Sequence, residues 1–192
     1  MQAIPTKYSD VQFRSRLEAR WAIFFDLLGW NWEYEPFDLP GWIPDFVIRG
    51  HEGEMILVEV KPTLVFPEDV ATEIDRAWPV EMSEDGNPYC GGEVLIVGCS
   101  LLKEPSFDDL CLGWLRECGC WDTAPLGRIK KEDGGNGLIG FCHMSFSYRD
   151  RITGVHPGSC PFGCGDDIDR EVVKLWKKAG NLCQWNARLA RR

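Results

Sequence analysis

Three residues could do chemistry together: Asp45, in the apolar stretch "IPDFVI" (43–48), and Glu59 and Lys61, in "MILVEVK" (55–61). A charged side chain inside an apolar strand carries a desolvation cost unless it is paired or binds a metal. Two carboxylates beside an ammonium form a set of hard oxygen donors suited to Mg²⁺ or Mn²⁺, ions that take few protein carboxylates and keep several waters. Such an ion polarises a phosphodiester and lowers the pKa of bound water. The lysine can orient the attacking water, or stabilise charge developing on the phosphate.

Strand geometry decides whether the three meet. Side chains alternate between faces, so Glu59 and Lys61 share one face of a regular strand. Asp45 joins them only if the hairpin pairs residues whose numbers sum to an even value. A turn centred on Glu52 would set Asp45 opposite Glu59, and a slip of one residue would send it to the other face. The alternative reading makes Glu59 and Lys61 an ion pair on the solvent face of a half-exposed strand, with Ile56, Val58 and Val60 as its buried face.

The surrounding elements follow from periodicity. Ser9 or Asp10 is a candidate N-cap for a helix over Val11 to Leu28, in which Leu17, Trp21, Phe24, Phe25 and Leu28 form one apolar stripe ended by Gly29. "NWEYEP" alternates as a half-exposed strand. Glu68 to Trp78 is helical in spacing, with Val70, Ile74, Ala77 and Trp78 on one side. Glu93 to Cys99 is a continuous apolar run of the kind covered on both faces, and it should lie parallel to 55–61 through a right-handed crossover. Beyond Cys99 the pattern weakens. "DLCLGWLREC" fits a strand or a short helix, "KKEDGGNG" a loop, "GLIGFCHMSFSY" a strand and "HPGSCPFGCGDD" turns. A last helix is expected from about Asp167 to Ala179, stopped by Gly180-Asn181. The fold class is therefore α/β with a mixed sheet. Without internal repeats or low-complexity linkers the chain reads as a single compact unit, a core over 1–103 with a cysteine-containing extension over 104–192 packed on it.

Pro44-Asp45 followed by Glu59-Val60-Lys61 across a short hairpin resembles the PD-(D/E)xK nuclease superfamily, with its restriction-endonuclease-like, RecB-like fold. The order αβββαβ over residues 9 to 99 is similar to that superfamily's core and covers about half the chain. The superfamily places a glutamate on the helix before the meander, and "FRSRLEARWAIFF" supplies Glu18. The resemblance implies that Asp45 and Glu59 ligate Mg²⁺ or Mn²⁺, that Lys61 is the catalytic lysine, and that Glu18 binds the metal or orients its water. It implies a metal-dependent nuclease that hydrolyses DNA. The rival is a protein that keeps the nuclease fold without turnover and binds nucleic acid or blocks a partner protein.

Other residues carry weaker signals. Arg14 precedes Glu18 by one helical turn, flanked by Arg16 and Arg20; these arginines suit a phosphate, and Arg14 equally suits an i,i+4 ion pair. Glu73 and Asp75 of the crossover helix read as surface charges that could reach the site. Trp42, beside the Pro-Asp pair, suits base stacking, although most of the Trp and Phe residues belong to the core. His156, Cys160 and Cys164, with Cys142-His143 upstream, could form a tetrahedral Zn²⁺ site. "CPFGC" lacks the usual two-residue spacing, and buried thiols are the favoured reading.

At 192 residues and 44% hydrophobic, the chain can bury a full core. It lacks an 18-residue apolar run and an apolar leader, so no membrane partner is expected and the protein reads as cytoplasmic. Nine cysteines, without an export signal, are read as thiols or metal ligands rather than a disulfide framework. The net charge of −9 argues against a nucleic-acid surface covering the whole molecule. Residues 170–192 nevertheless carry a balance of +6, which leaves −15 on the remainder. DNA is expected to contact this basic segment, through Lys174, Lys177, Lys178 and Arg188, and the Arg14/Arg16 region.

Overall fold

The computed structural model describes residues 3–82, 88–89, 92–103, 109–130, 136–144, 149–154 and 166–184. The elements are β1 (Thr6–Tyr8), β2 (Val11–Phe13), α1 (Arg16–Leu28), β3 (Asn31–Tyr34), β4 (Phe46–Arg49), β5 (Met55–Val60), α2 (Glu68–Ala77), β6 (Glu81–Met82), β7 (Pro88–Tyr89), β8 (Glu93–Lys103), β9 (Leu110–Glu117), β10 (Cys120–Lys130), β11 (Asn136–Phe141) and α3 (Asp166–Leu182). Seven strands form one mixed sheet in the order β11-β10-β9-β8-β5-β4-β3. Only β5 and β8 are parallel, joined across α2 as the apolar run at 93–99 predicts.

Both faces of the sheet are covered. On one side Phe46, Ile48, Ile56, Val58 and Val97 pack against α1 (Trp21, Phe24, Phe25) and α3 (Val172, Trp176, Ala179). On the other, Val47, Leu57, Val94, Ile96 and Trp114 pack beneath Ala71 and Ile74 of α2. Every residue of β5 after Met55 is therefore buried, including Glu59 at 6% exposure. The half-exposed strand of the alternative reading is not what forms.

The first helix starts later than its apolar stripe suggests. Residues 6–13 form a hairpin instead, with Tyr8 opposite Val11. Ser9 and Asp10, the expected caps, are its two turn residues at φ 48° and 62°, the left-handed pair that a tight two-residue hairpin needs. Ser15 is the actual N-cap, and its hydroxyl accepts from the Glu18 N–H at 3.1 Å. Ser15-x-x-Glu18 is a capping-box sequence.

The last helix also departs from expectation, running through Gly180 to Leu182. The Arg20 guanidinium lies so close that a Cβ at position 180 would sit 3.1 Å from its Cζ. This glycine serves close packing of α3 on α1 rather than a helix stop. Residues 110–117 form a strand, and β10, which the sequence pattern does not disclose, extends the sheet between β9 and β11. Among the described residues Cys99, Cys111, Cys120, Cys142 and Cys183 are thiols, as expected, whereas Cys118 is disulfide-bonded. Among the described residues no helix is long and apolar enough to cross a membrane.

Candidate active site

Register brings the two carboxylates together. Phe46 pairs with Val58, Val47 with Leu57 and Ile48 with Ile56, so one further step sets Asp45 opposite Glu59, the even-sum register that places both on one face. Asp45 and Lys61 lie just outside the strands rather than within them, since β4 begins at Phe46 and β5 ends at Val60. Pro44 lacks the N–H that would extend the ladder. The Asp45 carbonyl instead accepts from the Glu35 N–H at 2.9 Å, and the Lys61 N–H donates to the Val97 carbonyl at 2.9 Å.

Each carboxylate is held by identifiable donors. Asp45, 5% exposed, accepts from the Val60 N–H at 2.7 Å through Oδ2 and from Arg14 Nη2 at 2.8 Å through Oδ1. Glu59 accepts from the Trp42 indole N–H at 2.8 Å through Oε2, and its Oε1 pairs with Lys61 Nζ at 2.5 Å. Glu18 Oε2 accepts from the Tyr34 hydroxyl at 2.6 Å and the Arg14 backbone N–H at 3.1 Å. Glu18 thus closes the helix start as well as facing the site. Arg14 forms no i,i+4 pair with it: the guanidinium bridges Asp45 and, at 2.7 Å, Glu35.

The electrostatics report an excess of negative charge. Burial, then the charge of Glu59, push the Asp45 carboxyl up to about 7; Glu18 adds to this, while the Val60 N–H and Arg14 oppose it. Burial alone would lower the Lys61 ammonium, but its bond to Glu59 and the charges of Glu59 and Asp45 hold it above its ordinary value. Burial and the bond to Glu18 raise the Tyr34 hydroxyl.

Among the described residues, no group of three or more His, Cys, Asp or Glu side chains is arranged to hold a metal ion. Asp45 and Glu59 still fit Mg²⁺ or Mn²⁺ by donor chemistry, since these ions need only one or two carboxylates and complete their shell with water. The raised Asp45 carboxyl supports this fit, because a divalent cation would relieve the crowding that raises it.

Other sequence candidates sit elsewhere. Asp75 pairs with Arg116 at 2.7 Å and accepts from the Trp121 indole at 3.3 Å, holding α2 to the sheet. Glu73 is exposed. Arg20 lies over the Trp176 ring, 3.7 Å from its centroid, and donates to the Trp176 carbonyl. Lys174, Lys177 and Lys178 are exposed on α3. His143 is buried with Nε2 3.2 Å from the Cys120 carbonyl. His156, Cys160, Cys164 and Arg188 lie outside the described residues.

Sequence reasoning did not find Tyr34, Glu35 or the role of Trp42 as a donor to Glu59. Tyr34 was open to discovery, because the alternation of β3 sets it one residue from the loop carrying Asp45. Comparison with protein-family models, curated proteins and solved structures returns no match.

Proposed function

We propose that this protein is a metal-dependent nuclease that hydrolyses DNA phosphodiester bonds on a restriction-endonuclease-like core. The observation carrying this reading is the shared register of Asp45 and Glu59, with Lys61 ion-paired to Glu59 at the same sheet end. The element order α1-β3-β4-β5-α2-β8, with β5 and β8 parallel, supports the same core.

Asp45 and Glu59 would hold Mg²⁺ or Mn²⁺, which when bound polarises the phosphodiester and makes water a better nucleophile at neutral pH. Glu18, fixed by Tyr34, would bind the ion or orient its water. Lys61 and Arg14 oppose the negative charge that builds on the phosphate as water oxygen attacks phosphorus. The ester P–O bond breaks, leaving a phosphate monoester and a hydroxyl end. The exposed lysines of α3 and the Arg14/Arg16 region would contact flanking phosphates, giving binding that weakens as salt rises.

Cleavage of mixed single- and double-stranded DNA in Mg²⁺ and Mn²⁺ tests the proposal. The parent should cut, Asp45→Asn should not, and Lys61→Ala should lose turnover while keeping metal binding. No cleavage under any of these conditions would favour the second reading, a non-catalytic protein that binds nucleic acid or blocks a partner. The internal pairing of Asp45 with Arg14 and of Glu59 with Lys61 supports that reading, as does the acidic balance of the chain.

A further inference from the structure

The loop after Lys61 presents apolar side chains to solvent from a backbone that is tied down. Leu64 and Val65, 60% and 70% exposed, are the two most exposed large hydrophobic residues among those described. Exposed apolar side chains on a floppy loop would mean little. Here the Thr63 N–H donates to the Lys61 carbonyl at 2.8 Å, and the Thr63 carbonyl accepts from the Cys99 N–H at 2.9 Å. The Thr63 hydroxyl closes the turn, donating to the Val65 carbonyl at 2.8 Å and accepting from the Val65 N–H at 3.1 Å. Gly98 permits the approach to β8, since a Cβ there would meet the Thr63 carbonyl oxygen at 2.4 Å. On the far side, Phe66 is anchored between the rings of Trp114 and Trp121, each 5.8 Å away.

This loop lines an open cleft of about 630 Å³ that begins at Lys61 and continues along Pro62, Val65, Phe66 and Pro67 to Val70, with Glu68 and Asp69 also on its wall. Ile43, two residues before Asp45, is 42% exposed. The charges are arranged with one sign on each side. Lys61 is at the site end, and the two carboxylates stand along the cleft itself. With a divalent ion offsetting Asp45 and Glu59, a phosphate would be held at the Lys61 end and repelled from the cleft, while a neutral flat ring is drawn in by the apolar walls.

We infer that the 62–67 cleft is a nucleobase site, which takes an unstacked base beside the phosphate at Lys61 and so selects single-stranded or locally opened DNA over intact duplex. The inference rests on the nuclease reading for the placement of the phosphate. A base inside a duplex cannot enter the cleft without unpairing, whereas a base in a single strand gains contact with the Val65 and Phe66 side chains on its wall at small cost.

Binding of three fluorescent oligonucleotides in Ca²⁺, a hard cation that takes oxygen ligands, with the strands checked afterwards to be intact, tests it: a single strand, its perfect duplex, and the same single strand with abasic sites in its centre. The parent should bind the single strand roughly tenfold more tightly than the duplex and the abasic strand, the scale of one base stacked on a side chain. The Val65→Ser protein, with an unchanged melting temperature, should bind all three like the parent binds the abasic strand. Equal binding of the three by the parent, or a loss in the loop variant that is the same for all three, overturns the base site. So does an absence of nucleic-acid binding. The nuclease reading fails separately, by loss of cleavage in Mg²⁺ and Mn²⁺ while the single-strand preference persists.

Discussion

Arg14 Nη2 lies 2.8 Å from Asp45 Oδ1 while Arg14 Nε reaches Glu35 Oε1 at 2.7 Å. The guanidinium is thus a built-in cation at the carboxylate that a metal would need, and it has a second anchor on Glu35 within reach. Its side chain is 57% exposed, so it can leave Asp45 without unpacking the core.

Removing that cation should help a metal and hurt DNA binding. Arg14→Gln is expected to tighten Mn²⁺ binding roughly threefold to thirtyfold, the range of one charge-assisted hydrogen bond partly screened by solvent. Affinity for DNA should fall in the same protein. Titration calorimetry with Mn²⁺ alone reads the first effect and oligonucleotide binding the second. Weaker Mn²⁺ binding in the variant would show that Arg14 organises the site rather than competing for it.

The Asp45 carboxyl makes stability depend on pH. Its folded-state pKa of about 7 stands above the ordinary 3.8 of the unfolded chain. Between those values the folded state holds an extra proton, so without metal stability is greatest at the acid end and falls as pH rises through 7. Denaturant unfolding in EDTA should show a loss on the order of 2 kcal/mol between pH 5 and pH 8 from this group. Asp45→Asn should remove this contribution, and Mg²⁺ or Mn²⁺ should recover part of it in the parent only. A parent and variant that lose stability in parallel over this range would mean Asp45 is ionised normally.

Trp42 offers a separable test of carboxylate positioning. Trp42→Phe keeps an aromatic ring against the α2-side core and deletes the N–H that holds Glu59 Oε2 at 2.8 Å. Losing a hydrogen bond behind a metal ligand typically costs about 10- to 100-fold in metal affinity or activity. We expect that loss in Mn²⁺ affinity and in cleavage rate, with the fold intact. Unchanged values would assign Trp42 to packing alone.

The sequence disclosed the part of this molecule whose pattern is local and regular. The alternation in 55–61 and the polar turn around Glu52 allowed the pairing that forms, because each strand is short and its charged residues fall at the ends. The start of α1 was obscured by the hairpin before it, since Val11 and Phe13 carry apolar side chains that a helix would also use. Ser15 and Glu18 held the true signal, a capping box that the apolar stripe outweighed. β10 was hidden because its ladder with β9 shifts between Thr123 and Pro125, and a proline within a strand breaks the pattern on which recognition depends. Arg14 was legible as a cation near Glu18, but its ion pair with Asp45 was not, because the two are 31 residues apart and no spacing rule links them.

The far end of the sheet should govern stability without touching the site. Glu93 begins β8 opposite Ile56, at the end of β5 away from Glu59. There Arg151, fully buried, donates to Glu93 through Nε and Nη2, each at 2.9 Å, and to Glu117 at 2.6 Å through Nη2. Glu93 and Glu117 are each 8% exposed. Arg151→Met keeps much of the side-chain volume and removes the cation shared by the two buried carboxylates, leaving Glu93 with Arg149 at 3.6 Å, a change expected to cost about 3 kcal/mol, the lower end for a broken buried ion pair. Lysine at 151 should recover only part of this, because an ammonium lacks the planar fork that spans both carboxylates. Replacing Glu93 and Glu117 by glutamine in the Arg151→Met protein should recover more than lysine does, by removing the buried charge itself. Denaturant midpoints measure these differences, and Mn²⁺ affinity of the folded proteins should stay within twofold of the parent throughout. A cost under about 1 kcal/mol for Arg151→Met would mean that water reaches the two carboxylates and that this end of the sheet is not held by the ion network.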